Sequence, residues 1–537
     1  MALSSPRRLP RIIHQTWRDK HVPAELGDPG SWRALNPGWD YRFWTDDDLL
    51  EFFETERPDL LNLYLSYQRP VQRADLARYC LLARYGGIYA DIDTRCVGSL
   101  EPLVGETRAV LCAEPPAHDE PARVRGLERL WFNGTMASPP GHPLWDQVID
   151  LCQRMAFRHA HDVLETTGPL ILSAAVAQSA DPSGLALNSS GLFAPLAVDG
   201  GYCDDPAFGP YGQLRLSQHL WKGTWYKSRH ESWYRRQIGK LRKLRHRHFA
   251  GARLDPAAMR RNINPDGLTD PLPVSDATPE VAILIPVRDA AEVLPRCFEL
   301  LRSLDHPHSR LHLVFGHGAS RDDSAGLIDG FLASHAAAFA SARRIELPRE
   351  GPAFTDADRW KPEKQRHRRA GLARARNDML AAALPLPVKW ILWIDADMVA
   401  YPPDLVARLL AARERIVTPD CVLEPGGLSF DLNTFLSVYT PSRTEYYRHV
   451  RDGLLQPPED WWFRRHLHDL RYLEMVPLHG VGATVLLVHA SVHRAGIHFP
   501  ELPYRDLIET EGFGQLARDL GVVPVGLPQL EVVHARR

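Results

Sequence analysis

Residues 73–96 read RADLARYCLLARYGGIYADIDTRC. The first half reads as a helix that Gly86-Gly87 stops, and IYADIDT reads as the next strand. Asp91 and Asp93 stand at the end of that strand. Side chains alternate along a strand, so residues two apart project on one face. Two carboxylates placed that way suit a hard divalent cation such as Mg²⁺ or Mn²⁺. On the preceding helix Asp75 and Arg78 are three apart and share a face. Arg78 suits a phosphate or carboxylate, and Asp75 can accept from a sugar hydroxyl. Each pair also has a plainer reading, a solvated turn for the carboxylates and an intrahelical ion pair for Asp75 and Arg78.

Upstream, RIIHQTW and DYRFW read as strands, and DDDLLEFFETE as a helix with acids in its first turn. The pattern returns far downstream, where VAILIPV (281–287), LHLVFGHG (311–318) and KWILWIDAD (389–397) read as strands with helices between them. Alternating strands and helices favour a parallel or mixed sheet covered by helices. Such sheets bind ligands at the carboxyl ends of their strands. The fold class is therefore α/β, in two domains.

Asp395 and Asp397, after the apolar KWILW, repeat the logic of the first carboxylate pair. Upstream of them, GLARARNDML reads as a helix in which Arg374, Arg376 and Asn377 cluster, and two arginines near a strand end suit a diphosphate. Asp322 and Asp323, in SRDDS, can accept from ribose or base donors, or form an ordinary Asp-rich turn. Glu509 and Glu511 are close enough to act as paired carboxylates over an acceptor hydroxyl, or to be a charged helix start. His534 stands just after a short C-terminal strand.

Composition bounds the alternatives. The chain has 537 residues, 44% hydrophobic and 24% charged, with a net charge of −2. That is ordinary for a globular protein and no electrostatic match for nucleic acid. Seven cysteines with no C-x-x-C pair argue against a zinc ribbon or disulfide framework and fit a reducing compartment. No apolar run suggests a signal peptide or a membrane span, so the expected location is cytoplasmic, with the inner face of the membrane as an option. Between Lys222 and Arg261 there are 13 Lys/Arg against two acids, Glu231 and Asp255. This predicts a basic helix and linker over 228–278, between domains at 1–227 and 279–537. The basic stretch is either a solvated connector or a patch for phosphate, a membrane surface or an acidic partner.

Two resemblances sharpen these readings. LPRIIHQTW, NPGWDYRFWTDDDL, RADLARYCLLARYGGIYADIDTRC, NGTMASPPGHPLW, TTGPLIL and HLWKGTW resemble glycosyltransferase family 32 over roughly residues 9 to 226. The resemblance implies a nucleotide-diphospho-sugar transferase (GT-A, Rossmann-like) domain that retains anomeric configuration. It implies that Asp75 and Arg78 bind donor sugar and phosphate and that Asp91 and Asp93 bind sugar and metal. It also implies that Asn133 faces the reacting centre, that Trp17 packs on the base, and that His219 and Trp225 close the diphosphate–metal site. LARARN, WILWIDADMVAYPPDL, SFDLNTF, HGVGATVLLVHASVHRAGIHFP, IETEGFG and GLPQLEVVH resemble glycosyltransferase family 62, the mannan polymerase family that uses GDP-mannose. That resemblance implies a second GT-A domain with Asp395 and Asp397 as donor and metal motif. It makes His534 a further metal ligand and places Arg376 and Glu511 at the reaction centre.

The expectation is a bifunctional retaining glycosyltransferase with one Mn²⁺ or Mg²⁺ per domain. The donor is a nucleotide-diphospho-sugar such as GDP-mannose, and the acceptor a glycan, glycolipid or polysaccharide. One alternative makes one domain a non-catalytic glycan-binding module. Another, a haloacid-dehalogenase-like phosphatase, is suggested by DIDT and DADMV. It is disfavoured by the ~90 residues ahead of Asp91 and by the lack of a later Gly-Asp-x-x-x-Asp run.

Overall fold

The computed structural model describes residues 7–156, 162–198, 200–222, 240, 243, 263–272, 278–348 and 361–536. It divides into two compact units, Met1–Arg229 and His230–Arg537. Most of the basic stretch 222–261 lies outside the described residues. Among the described residues no helix is long and apolar enough to cross a membrane.

The first unit is built on a six-stranded mixed sheet. Its order is Asp40–Trp44, Ile12–Thr16, Gly87–Ala90, Thr135–Ser138, Ala109–Cys112, Leu185–Asn188. Ile12–Thr16 runs parallel to both of its neighbours. The helix Asp46–Thr55 starts at a capping box in which Thr45 and Asp48 exchange hydrogen bonds. The helix Pro70–Tyr85 ends at Gly86 and Gly87, both at positive φ. A Cβ on Gly87 would lie 2.5 Å from the Ile12 carbonyl oxygen, so this junction needs glycine for space as well as for backbone freedom. Leu76, Tyr79, Leu82, Ile88 and Tyr89 are fully buried, which seats the helix and the strand after it in one core.

The second unit is built on a nine-stranded mixed sheet. Its main path is Ser341–Glu346, Leu311–His317, Val281–Val287, Trp390–Ile394, Val485–His489, Ile416–Val422, Val525–His534, Met398–Ala400. The first four are mutually parallel, which puts the carboxyl ends of Leu311–His317 and Trp390–Ile394 at one edge. The long helix Pro362–Ala383 precedes Trp390–Ile394. Its apolar residues Ala373, Met379 and Leu380 are buried.

Part of the stretch read as linker belongs to the second unit. Ile263 and Leu268 are buried. The Arg415 guanidinium donates to the carbonyls of Gly267, Leu268 and Asp270 at 2.7–3.0 Å. Residues 263–272 are Pro/Asp-rich, and their few apolar side chains gave no periodic signal. Backbone carbonyls gathered around one arginine leave no trace in sequence.

Candidate donor sites

In both units the two aspartates sit in a turn between two strands, rather than on a strand as the alternation argument assumed. The Thr94 amide and hydroxyl both donate to the Asp91 carbonyl, at 3.1 and 2.5 Å, and this closes the first turn. The Met398 amide reaches the Asp395 carbonyl in the second. The turn makes the carboxylates converge, and the short strand that follows leads each to a histidine. Thr94–Cys96 pairs antiparallel with Ser217–His219, setting Thr94 opposite His219. Met398–Ala400 pairs antiparallel with Val525–His534, setting Met398 opposite His534. The residue after each histidine closes the frame. Leu220 donates its amide to the Asp93 carbonyl and Ala535 to that of Asp397, each at 2.9 Å.

The result is the same triad twice, Asp91–Asp93–His219 and Asp395–Asp397–His534. In each, one ligand atom per residue lies within 4.8 Å of the others. His219 Nε2 is 3.1 Å from Asp93, and His534 Nε2 is 3.0 Å from Asp397. Two carboxylates and an imidazole are a donor set suited to Mn²⁺, so the residues fit a divalent cation in each unit. Burial opposes ionisation of Asp93, but His219 and the Lys222 amide hold its carboxyl below the usual range. Burial also opposes a charged His534, yet the hydrogen bond and attraction of Asp397 raise its pKa.

Around the first triad most polar groups bond to one another, and of the Arg78 guanidinium Nε is buried without a partner. Arg78 lies 2.9 Å from Asp91 and 3.1 Å from Asp75, and donates to the Asn133 carbonyl at 2.7 Å. Asn133 Nδ2 donates to Asp75 and to the Tyr79 hydroxyl, and Thr167 donates to the other oxygen of Asp75. Tyr89 donates to Asp91. Burial pushes the Asp75 carboxyl up to about 7 against the pull of Arg78, and it raises Asp91 as well. Trp17 follows the first strand, and its indole nitrogen is buried without a hydrogen-bond partner. Trp225 lies outside the described residues. The tryptophan seen at the triad is Trp221, edge-on to His219 with ring centroids 4.3 Å apart.

The second site is less closed. The Arg376 guanidinium lies over Trp393 and Phe499, with Nε and Nη1 unpartnered. Burial pushes Asp395 up to about 7 against the attraction of Arg376. The expected Arg374–Arg376–Asn377 cluster separates, because residues two apart point to different sides of a helix. Arg374 pairs with Glu501 at 3.3 Å, and Asn377 clasps the backbone of Phe499. Arg369, seven residues before Arg376 and so on its face, joins the site instead, 3.3 Å from Glu509. That spacing was present in the sequence.

Glu509 and Glu511 open the helix Glu509–Asp519 and are 2% and 4% exposed. Arg464, which the sequence reading missed, donates to Glu511 at 2.9 Å. Each glutamate keeps one buried oxygen, Oε2, without a partner. Burial raises the pKa of Glu511 despite Arg464. Asp431 was also missed; it is buried, accepts from Thr484, and feels Arg369 and Arg376. Asp322 and Asp323 are exposed at the sheet's carboxyl edge. Asp322 ties its loop together, accepting from the Ala291 amide and from Ser324.

The sequence matches two family models. Residues 268–503 match Anp1, and residues 27–110 match the glycosyltransferase sugar-binding region containing a DXD motif. Mannan polymerase complex subunit mnn9 of Schizosaccharomyces pombe is 31% identical over 271 residues, which are 48% of this chain and 80% of that protein. Inositol phosphoceramide mannosyltransferase 3 of the same yeast is 36% identical over 169 residues. Those residues are 31% of this chain, which spans only 44% of that relative. Among solved structures, the mannosyltransferase PcManGT from Pyrobaculum calidifontis, in complex with GDP-Man and Mn²⁺, overlaps 56% of this chain and 68% of its own. The identity is 16% and the TM-score 0.30.

Proposed function

This chain belongs to the Anp1 family, and on that premise we propose that it is a two-site, metal-dependent glycosyltransferase. Each unit, as a GT-A-type domain, transfers a hexose from a nucleotide-diphospho-sugar to a hydroxyl of a glycan, glycolipid or polysaccharide. Mannose is the sugar that the names of the relatives favour, and GDP-mannose is the donor that the resemblance to glycosyltransferase family 62 implies. One observation carries the reading. The aspartate turn, the short strand after it and the strand that ends in histidine are built twice, and in both the residue after the second aspartate pairs with the histidine.

Asp91, Asp93 and His219 in the first unit and Asp395, Asp397 and His534 in the second would hold a divalent cation, which would supply charge stabilisation for the leaving diphosphate. The remaining roles fall to the chain's own side chains. Arg78 and Arg376 sit beside the first aspartate of each turn, where a guanidinium can meet a phosphate oxygen. Asp75 and Asn133 in the first unit, and Asp395 with Asp431 in the second, offer acceptors to donor-sugar hydroxyls. Glu509 and Glu511 orient the incoming hydroxyl in the second unit.

The test is a screen of GDP-, UDP- and TDP-sugars by thermal shift and by donor hydrolysis, with Mn²⁺ and after chelation. A stabilising, Mn²⁺-dependent shift with one nucleotide class is expected. Hydrolysis that persists undiminished after thorough chelation would falsify the metal assignment.

A further inference from the structure

Lys389 stands just before the strand Trp390–Ile394, and His489 ends the antiparallel strand beside it, opposite Trp390. At this end of the strands the second unit has a cavity of about 320 Å³. The Asp395–Asp397 turn follows the other end of Trp390–Ile394. Five residues of strand cover about 16 Å, so the cavity is separate from the donor site. Its polar side chains are Lys389, His489, Ser491, Arg494, Asn264 and Asp266. The volume falls within the range of small-molecule pockets.

The cations here are not paired. Among the described residues Lys389 is exposed and has no ion pair. Arg494 directs Nη2 to the carbonyls of Leu384, Leu386 and Val388 and touches no carboxylate. Arg415 stands just behind the lining, bonded to three carbonyls and to Ser491 Oγ. Asp266 is the one carboxylate in the lining, and it is exposed. Glu414 and Asp270 lie near Arg415 and do not line the cavity. The balance is read by His489. Burial holds its pKa down to about 4, and the charges acting on it, Arg415, Arg494 and Lys389, all push the same way. The field at the imidazole is therefore positive.

The hydrogen bonds add direction. Arg415 donates to Ser491 Oγ at 3.1 Å, which leaves the Ser491 hydroxyl free to donate to His489 Nδ1 at 2.7 Å. The Ser491 amide also points at Nδ1, at 3.4 Å. With Nδ1 accepting, a neutral His489 carries its hydrogen on Nε2. An N–H donor, an ammonium and a guanidinium thus converge on one cavity, and nothing in its lining but Asp266 can answer them. Donors of this kind make short, strong bonds to phosphate oxygens.

We propose that this cavity binds a phosphate group, with Lys389 and Arg494 meeting its charge and His489 Nε2 donating to one of its oxygens. The site is independent of the donor reading. The group is either a soluble phosphate ester or the headgroup of an anionic lipid, since both present the same oxygens.

Calorimetric titration of the full chain with inorganic phosphate tests this, in 0.15 M chloride with EDTA present so that no cation occupies the triads. The chloride screens loose surface attraction. Binding is expected to be at least tenfold weaker in Lys389→Glu, which changes an exposed side chain and spares the fold. Ser491→Ala, which cuts the link from Arg415 to His489, should weaken it at least threefold. Asp397→Ala should leave it unchanged. These variants keep every Lys and Arg between 222 and 261, so a loss reports the cavity and not the basic stretch. In histidine-labelled protein, the ring signal that His489→Gln removes should shift on adding phosphate, and should stay still in Lys389→Glu. Co-sedimentation with phosphatidylcholine vesicles, with and without phosphatidic acid, separates the two sources. Capture that falls with Lys389→Glu assigns a lipid headgroup, and capture indifferent to it assigns a soluble ester. Both uphold the site. No phosphate binding, binding undiminished in Lys389→Glu, or a His489 signal that phosphate does not move overturns it.

Discussion

In the first unit His219 takes a hydrogen bond on Nδ1 from the Trp221 amide at 3.2 Å; in the second, His534 Nδ1 donates to the Ala535 carbonyl at 2.8 Å. The backbone frames of the two triads match, but the second partners of the two histidines are opposite in kind. A neutral His219 therefore carries its hydrogen on Nε2, directed at Asp93. A neutral His534 carries it on Nδ1 and presents a lone pair on Nε2. Metal-bound histidines commonly donate their other nitrogen to a carbonyl, which is the arrangement of His534. The arginines differ in the same sense. Arg78 is tied to Asp75, Asp91 and the Asn133 carbonyl and leaves one nitrogen, Nε, without a partner, whereas Arg376 leaves both Nε and Nη1 without one. The first site is set by its own side chains, while the second keeps polar atoms for a ligand.

The sharpest way to break this comparison is to remove one triad at a time. Asp93→Ala should lower one transfer activity, and Asp397→Ala the other, by at least roughly 100-fold each, the scale of losing a group that stabilises developing charge. Product analysis with both acceptors checks this. If either variant loses both activities, the two units are not separate catalysts.

The histidines come next. In an Asp93→Ala background only the second triad is intact, and His534→Ala should then weaken Mn²⁺ binding by about 100-fold. In an Asp397→Ala background, His219→Ala should cost about tenfold, the lower range for partners that only orient a ligand. Titration followed by electron paramagnetic resonance reads both numbers. Equal losses would mean that the opposite hydrogen bonds do not matter.

The arginines should separate by stability. Arg78→Ala leaves Asp75 and Asp91 without their cation and should destabilise the first unit by about 3–5 kcal/mol. Arg376→Ala removes the cover over Trp393 and Phe499 and the attraction on Asp395, but no direct ion pair, and should cost the second unit about 1–2 kcal/mol, less than Arg78→Ala, while weakening donor binding. Denaturant unfolding and nucleotide-sugar titration test the pair. A large stability loss in Arg376→Ala would show that the second site is as closed as the first.

The smallest effect concerns pH. Burial outweighs Arg78 and raises Asp75 to about 7, from an ordinary value near 4. A raised carboxyl stabilises the fold fully below its unfolded value, and that contribution is lost as pH rises through the folded one. Asp75→Asn stays neutral, so its melting temperature relative to the parent should climb by a few degrees between about pH 5 and 8. A flat difference would mean that Arg78 keeps Asp75 ionised throughout.

Much of this protein was legible in the chain. The helix read over 73–85, which begins at Pro70 in the structure, its stop at Gly86-Gly87, the apolar strands VAILIPV and KWILW, and the two aspartate pairs all follow from local spacing. His219 and His534 came from the family resemblances alone, and the structure sets each beside its aspartate pair. These features are local, or they are carried by short motifs, and the physics that creates them acts over a few residues. The tertiary structure decided what depends on residues far apart. It placed both aspartate pairs in turns, and it brought His219 to Asp93 across 126 positions through strand pairing. It separated Arg374 from Arg376 and brought in Arg369, Arg464 and Asp431. It also drew residues 263–272 onto the second unit through Arg415. Hydrogen bonds and ion pairs are short-ranged in space and indifferent to distance along the chain, so the partner of a buried charge is fixed only when the sheet closes.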